Sequence, residues 1–460
     1  MTFGLVRLTF SGAHTPPWVN RMTAEVAVMN KTAVALATDS AVTITSVIED
    51  KITGKKIERE KIFTSVNKLF ALSSCRPVGI MVHGNADLMD VPWETVIRVY
   101  RDRLRDRGLA TVRDYARHFV RFLDKRNPLF GQGQQLRHFQ ATVNGYFTNQ
   151  ILKHVAESLE AAFKPGTKFT IKDVRKIAVK QIDQHWRWWR SSKRLAHLPA
   201  GFARTILRKH KKLSQKIIKD VFGKLELGAG SKRKLLDIVG FLITKDRFPR
   251  GETSGVVIAG FGEKENFPSI VAYDIEGVVL DRLKYKTFLR AGGNKEPIAG
   301  IFPFAQRDTV DAFISGIHDD YRVSIDKFLE RFLDSYSNVI IDEMKTIRSN
   351  VRKTLKQRTK TAGKQLKNQF WDAISKYEKE YHIDNIMKAV SFLPKEELAQ
   401  MAEALVSITS LKRKMSTDKE TVGGPTDVAI ISKSDGFVWV KKKQPFDSRL
   451  NPHLIARSQI

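Results

Sequence analysis

The sequence predicts a layered α/β protein with strands at both ends of the chain and helices between and around them. Three blocks of period-two apolar patterning carry this expectation, over residues 25–49, 254–290 and 427–442. Two long stretches of helical periodicity separate them, and strands that return after helices imply sheets covered by helices.

The elements follow in order. EVAVMNKTAVALATDSAVTITSVIED gives Val26 and Val28, then Ala33 to Leu36, as two paired strands turning at Asn30-Lys31. The charged run of residues 50–61, centred on Gly54, reads as an exposed turn between longer strands. Lys68-Leu-Phe-Ala-Leu and Val78-Gly-Ile-Met-Val form a second pair that ends at Gly84. NADLMDVPWETVIRVYRDRL then starts a helix with an acidic first turn and a basic last turn, as the helix dipole prefers. Residues 110–250 read as helical, interrupted by GQGQ at 131–134 and by Pro165-Gly166. Strands return over 254–262, 268–280 and around 282–290, and residues 291–300 read as a loop. A helical stretch from Arg307 to Leu411 is expected to break near Gly363 and at Pro394. The last two strands, 427–433 and 436–442, turn at Ser434-Asp435. There is no internal repeat.

Composition bounds the chemistry. With 460 residues and 42% hydrophobic content the chain can bury a real core. Its net charge of +30 marks an unusually basic surface, suited to a polyanion or simply to solvated Lys/Arg faces. The lone Cys75 fits a reducing compartment, so a cytoplasmic location is expected. No HExxH or CxxC occurs, and no metal or cofactor is expected. GFGEKENF and AGGNKE lack the GK(S/T) ending of a phosphate loop. No apolar run approaches 18 residues, which argues against a membrane span. Residues 1–22 read as a leader or pro-segment.

A hydroxyl nucleophile needs a base, and a threonine at a processed N-terminus can use its own α-amino group, whose pKa near 8 suits the task. Such a site also needs a cation beside the amine, a carboxylate to orient the cation, and a backbone N–H for the oxyanion. Thr23 heads the first strand, and Asp39 follows sixteen positions later in Ala37-Thr38-Asp39-Ser40. Lys68 begins a strand of the pair that runs to Gly84, with Lys61 a weaker candidate. Val256-Val-Ile-Ala-Gly-Phe-Gly, Ala272-Tyr-Asp-Ile-Glu-Gly and Gly423-Gly424…Val428-Ala-Ile-Ile-Ser complete an ordered set.

This order resembles that of proteasome β-type subunits within the N-terminal-nucleophile (Ntn) hydrolase superfamily, and the bacterial proteasome-like peptidase in particular. The resemblance covers residues 23–105, 254–318 and 416–442. It implies a four-layer αββα sandwich with large helical insertions, threonine-dependent peptide hydrolysis without a cofactor, a homo-oligomer and an ATPase partner. It casts Thr23 as nucleophile, Lys68 as the cation, Asp39 as its orienting carboxylate and Gly84 as the oxyanion donor. Asp418 and Thr421 take the supporting roles, although they lie one residue too far from Gly423. The family's serine loop near Gly300 is missing, with Gln306 as the available substitute. Met22 precedes Thr23 where self-cleaving propeptides carry glycine, and a start at Met22 followed by methionine removal would expose the threonine.

The resulting division is leader 1–22, core 23–109, basic helical insertion 110–250, core 251–318, helical region 319–415, final hairpin 416–442 and tail 443–460. Within the insertion, residues 187–234 hold fifteen Lys/Arg against Asp220 and Glu226. Trp186, Trp188 and Trp189 interleave with Arg187 and Arg190, a pattern that either stacks on nucleic-acid bases or packs helices. A second functional expectation is therefore an inactive scaffold that binds nucleic acid or protein partners through these basic helices. His83, next to Gly84, reads as a packed structural histidine, and residues 340–411 as an oligomerisation arm or a helical cap.

Overall fold

The apolar alternation of the strand blocks is resolved by two antiparallel five-stranded sheets. The structure is a computed structural model that describes residues 23–49, 56–162, 170–248, 253–294, 298–344, 346, 348–416 and 423–443. The chain opens with β1 (Ala24–Met29) and β2 (Ala33–Thr38), joined by the Asn30 turn, in which Asn30 Oδ1 accepts from the Thr32 and Ala33 N–H groups. β3 (Val42–Glu49) and β4 (Lys56–Phe63) pair as a separate ribbon, so part of the charged run expected as a turn is strand. β5 (Leu69–Ala71) and β6 (Val78–Gly84) follow, then a minimal hairpin of β7 (Asp87–Leu88) and β8 (Val91–Pro92). After the helical insertion come β9 (Ser254–Gly260), β10 (Ser269–Val279), β11 (Arg282–Gly292) and β12 (Gly300–Ala305). The chain's last pair is β13 (Asp427–Ser432) and β14 (Gly436–Lys441).

One sheet has the order β12-β1-β2-β13-β14, the other β11-β10-β9-β6-β5. Ala27, Met29, Val34 and Leu36 of the first sheet meet Met81, Val257, Ala259 and Ile270 of the second in one buried cluster. Gly79 lies where the sheets approach, since a Cβ there would stand 2.8 Å from Ile431 Cδ1 and 3.2 Å from Leu36 Cδ1. The opposite face of the second sheet, through Ile80, Val256, Ile258 and Tyr273, packs on α1 (Trp93–Leu104) and α2 (Val112–Leu123). The opposite face of the first, through Val26, Val28, Ala35 and Ile430, packs on Leu398, Ala402, Leu405 and Val406 of α13 (Lys395–Met415). Both sheets therefore bury both faces, and the protein is of the α+β class with antiparallel sheets.

The insertion comprises α3 (Gln132–Tyr146), a π-turn over Phe147–Leu152, α4 (Lys153–Ala162), α5 (Ile171–Arg190), α6 (Phe202–Lys209), α7 (Lys211–Phe222) and α8 (Ala229–Thr244). These helices share an apolar cluster of their own, which includes Phe147, Ile182, Trp189, Leu235 and Leu242. Beyond β12 run α9 (Asp308–Ser315), α10 (Asp319–Glu343), α11 (Ser349–Tyr377), a second π-turn over Glu378–Ile383 and α12 (Asp384–Phe392). No helix among the described residues is long and apolar enough to cross a membrane.

Four expectations are corrected. The helix expected from Asn85 begins only at Trp93, because the β7–β8 hairpin occupies the intervening chain. GQGQ does not interrupt a helix: Gly131 is the N-cap of α3, and the remaining residues form its first turn. The expected 291–300 loop is shorter, since Ala291 and Gly292 end β11 and Gly300 opens the unforeseen β12, which pairs antiparallel with β1 from Gly300↔Met29 to Ala305↔Ala24. Gly363 does not break a helix, for it lies inside the uninterrupted α11, whereas Pro394 does separate α12 from α13. Pro165-Gly166 lies outside the described residues.

Candidate active site around Thr23

The alternation of β1 places Thr23 and Glu25 on the same side of the strand as Ala27 and Met29, toward the second sheet. The end of β2 turns at Asp39, whose N–H donates to the Ala24 carbonyl (3.1 Å) and whose backbone carbonyl accepts from Thr38 Oγ1 (2.9 Å). Lys68 precedes β5, where its carbonyl accepts from the Val82 N–H of β6 (2.9 Å). From these three positions the side chains converge.

Lys68 Nζ donates to Asp39 Oδ1 at 2.7 Å, with both side chains buried. The same Oδ1 accepts from the Ala24 N–H (3.2 Å), the peptide directly after Thr23. Asp39 Oδ2 accepts from the N–H groups of Ala41 (3.3 Å) and Gly423 (3.0 Å). Four donors thus fix this carboxylate, and one of them is the ammonium it orients. Thr23 is fully buried; its Oγ1 donates to Glu25 Oε2 (2.8 Å), and its carbonyl accepts from the Gln306 N–H (3.1 Å). Glu25 Oε1 lies 3.9 Å from Lys68 Nζ. Burial, and the charge of Asp39 after it, push the Glu25 carboxyl up to about 8 in spite of Lys68. At neutral pH that group therefore holds a proton in most molecules.

Gly84 ends β6 in a left-handed conformation (φ +78°), and a Cβ there would meet the Thr253 carbonyl at 2.6 Å. It lines a small recess together with Lys68, Val82, Ala86 and Trp93. Trp93 Nε1 donates to Ser254 Oγ (3.0 Å), which ties the start of α1 to β9 beside this recess. Gly84 does not stand at the first turn of a helix, since eight residues separate it from α1. His83 is buried against the rings of Phe304 and Phe288 (centroids 5.8 and 6.4 Å), and burial followed by the Lys68 charge holds it down at about 4.

Thr23, Asp39 and Lys68 are therefore brought together, with Gly84 and Lys68 on one recess and Gln306 against the Thr23 carbonyl. Lys61 is not part of this group: it lies exposed on β4 with its ammonium 5.0 Å from the Phe63 ring. Asp418 and Thr421 lie outside the described residues. Glu25 was not anticipated from the sequence. Its signal is an ionisable residue inside the otherwise apolar AEVAVM strand. In comparisons with known proteins the chain matches no family model and no curated protein.

Proposed function

We propose that the chain is a threonine-dependent amide hydrolase of the N-terminal-nucleophile type, most simply a peptidase, built on an αββα sandwich of the proteasome β kind. The observation that carries this reading is the buried Lys68–Asp39 ion pair, anchored on the peptide N–H of Ala24 next to Thr23. The pairs Lys284–Glu276 and Lys443–Asp427 are buried too, and what sets Lys68–Asp39 apart is its bond to the peptide beside Thr23.

With Thr23 at the N-terminus, its Oγ attacks the substrate carbonyl while its own α-amine takes the hydroxyl proton. The Lys68 charge keeps that amine in its neutral, basic form, and Asp39 holds Lys68 in place. The amine then passes the proton to the departing nitrogen, leaving an ester on Thr23. Water, deprotonated by the same amine, releases the acid and restores the threonine. The Gly84 N–H is the donor for the oxyanion in both steps.

The test is a peptide epoxyketone or β-lactone, incubated with the protein and followed by intact-mass and peptide mapping. The natural protein is expected to begin at Thr23 and to carry one adduct there, with Thr23→Ala losing adduct and turnover but keeping the fold. A protein that begins at Thr23 and takes up no probe would overturn the reading in favour of an inactive scaffold.

A further inference from the structure

We propose a second binding site, within the helical insertion, for a planar heteroaromatic ligand of nucleotide size that carries an acidic group. A cavity of about 580 Å³ lies between α5, the π-turn preceding α4, and the segment that follows α8. It is a cleft partly open to solvent, and its size is in the range of ligand pockets. It is separate from Thr23 and independent of the chemistry proposed there.

The walls determine the ligand. Tyr146, Trp188, Trp189 and Phe248 supply flat apolar surface. Trp188 and Trp189 stand edge to face (5.2 Å, 87°), and so do Tyr146 and Trp189 (5.7 Å, 72°), which offers ring faces in two orientations. Trp189 is buried and fixed, while Trp188 is 46% exposed and stands at the rim. The neutral amides are Gln150, Gln181 and Gln184, of which Gln181 is steadied by Ser158 Oγ at 2.8 Å. Among the described lining residues there is no carboxylate, and Arg247 is the one fixed charge. Its guanidinium lies 3.5 Å from the Trp188 ring centre, and its Nε donates to Ser192 Oγ, which sets the plane of the fork. A flat ring stacked on one of these faces, with an acid meeting that fork, uses both the aromatic wall and the charge.

A hydrogen-bond relay reads the ring edge. Tyr146 Oη stands 2.6 Å from His185 Nδ1, and His185 Nε2 stands 2.9 Å from His154 Nδ1. Burial holds His185 at about 4, so it carries one ring proton at neutral pH. If Tyr146 donates, His185 donates to His154, and the remaining nitrogen of His154 is a donor. If every bond reverses, that nitrogen becomes an acceptor. The relay therefore serves either edge polarity of a heteroaromatic ring. The π-turn over Phe147–Leu152 brings this wall onto α5, a distortion that recurs at functional sites.

The test is calorimetric titration of the full chain with AMP, GMP, UMP and flavin mononucleotide, with adenosine and inorganic phosphate as half-ligands. At least one mononucleotide is expected to bind saturably, with each half-ligand weaker by ~10-fold or more. Trp188→Ala and Arg247→Gln are each expected to weaken it by ~10-fold, with circular dichroism melts reporting that both variants fold. Thr23 labelling should be unchanged in both. If no mononucleotide binds at millimolar concentration, or if binding survives both substitutions, the proposal fails. Equal affinity for inorganic phosphate would reduce the site to a basic surface patch and overturn it as well.

Discussion

Glu25 and Asp39 are two buried carboxylates facing one ammonium, Lys68. Asp39 takes the short contact at 2.7 Å, and Glu25, at 3.9 Å, keeps a proton up to about pH 8. Its ordinary value is 4.5, so between pH 4.5 and about 8 the folded chain holds a proton that the unfolded chain has released. Stability falls as pH rises through that window. Glu25→Gln, which stays neutral, is expected to flatten this fall; chemical denaturation at both ends of the window measures it, and an unchanged slope would refute the assignment. That Thr23, Asp39 and Lys68 would lie near one another was expected from the resemblance, whose Thr–Asp offset and lysine-led strand these residues match. Glu25 was not. In a sheet with one wet face, the strand EVAV would place its glutamate in water, but β1 is covered on both sides.

Strand alternation and turn residues located the paired strands at both ends of the chain, because period two and an Asn or Ser-Asp turn are local signals. The β7–β8 hairpin and β12 escaped, and one expected helix break failed. β12 is held by its register on β1, a pairing across more than 270 residues that no local pattern encodes. At Gly363 the expected break fails because the flanking Lys, Gln, Thr and Ala continue the helix, whose favourable residues outweigh one glycine at about 1 kcal/mol. A Cβ at Gly363 would lie 3.5 Å from Leu333 Cβ, an ordinary contact across the α10–α11 pair. Gly363→Ala is therefore expected to stabilise the protein by about 0.5–1 kcal/mol, read as a raised melting temperature. A lowered one would mean that the two helices approach more closely than this contact distance.

For the molecule as a whole, titratable groups packed within it shape the response to pH. His83, His138 and His185 are each held down at about 4, burial being the largest cause, against an ordinary value of 6.5. Between pH 6.5 and 4 the unfolded chain binds protons on all three that the folded chain refuses, so stability falls as pH drops. Glu25 acts in the opposite sense, and so do Glu276 and Asp274, whose carboxyls burial also raises, while His118, His197 and His210 are lowered with the three. Replacing His138 or His185 by Gln is expected to lessen the loss of stability between pH 6.5 and 4, and a melting-temperature profile that keeps its slope in both variants would contradict it.

The bond from the Gly423 N–H to Asp39 spans 384 positions, and β2 pairs with β13 along Thr38↔Asp427 to Ala33↔Ser432. During synthesis from the N-terminus, Thr23, Asp39 and Lys68 all leave the ribosome long before the strand that completes their sheet. The carboxylate that holds Lys68 stays short of a donor until Gly423 has been made. Nascent chains that stop short of β13 therefore lack both the strand that completes this sheet and the Gly423 donor to Asp39.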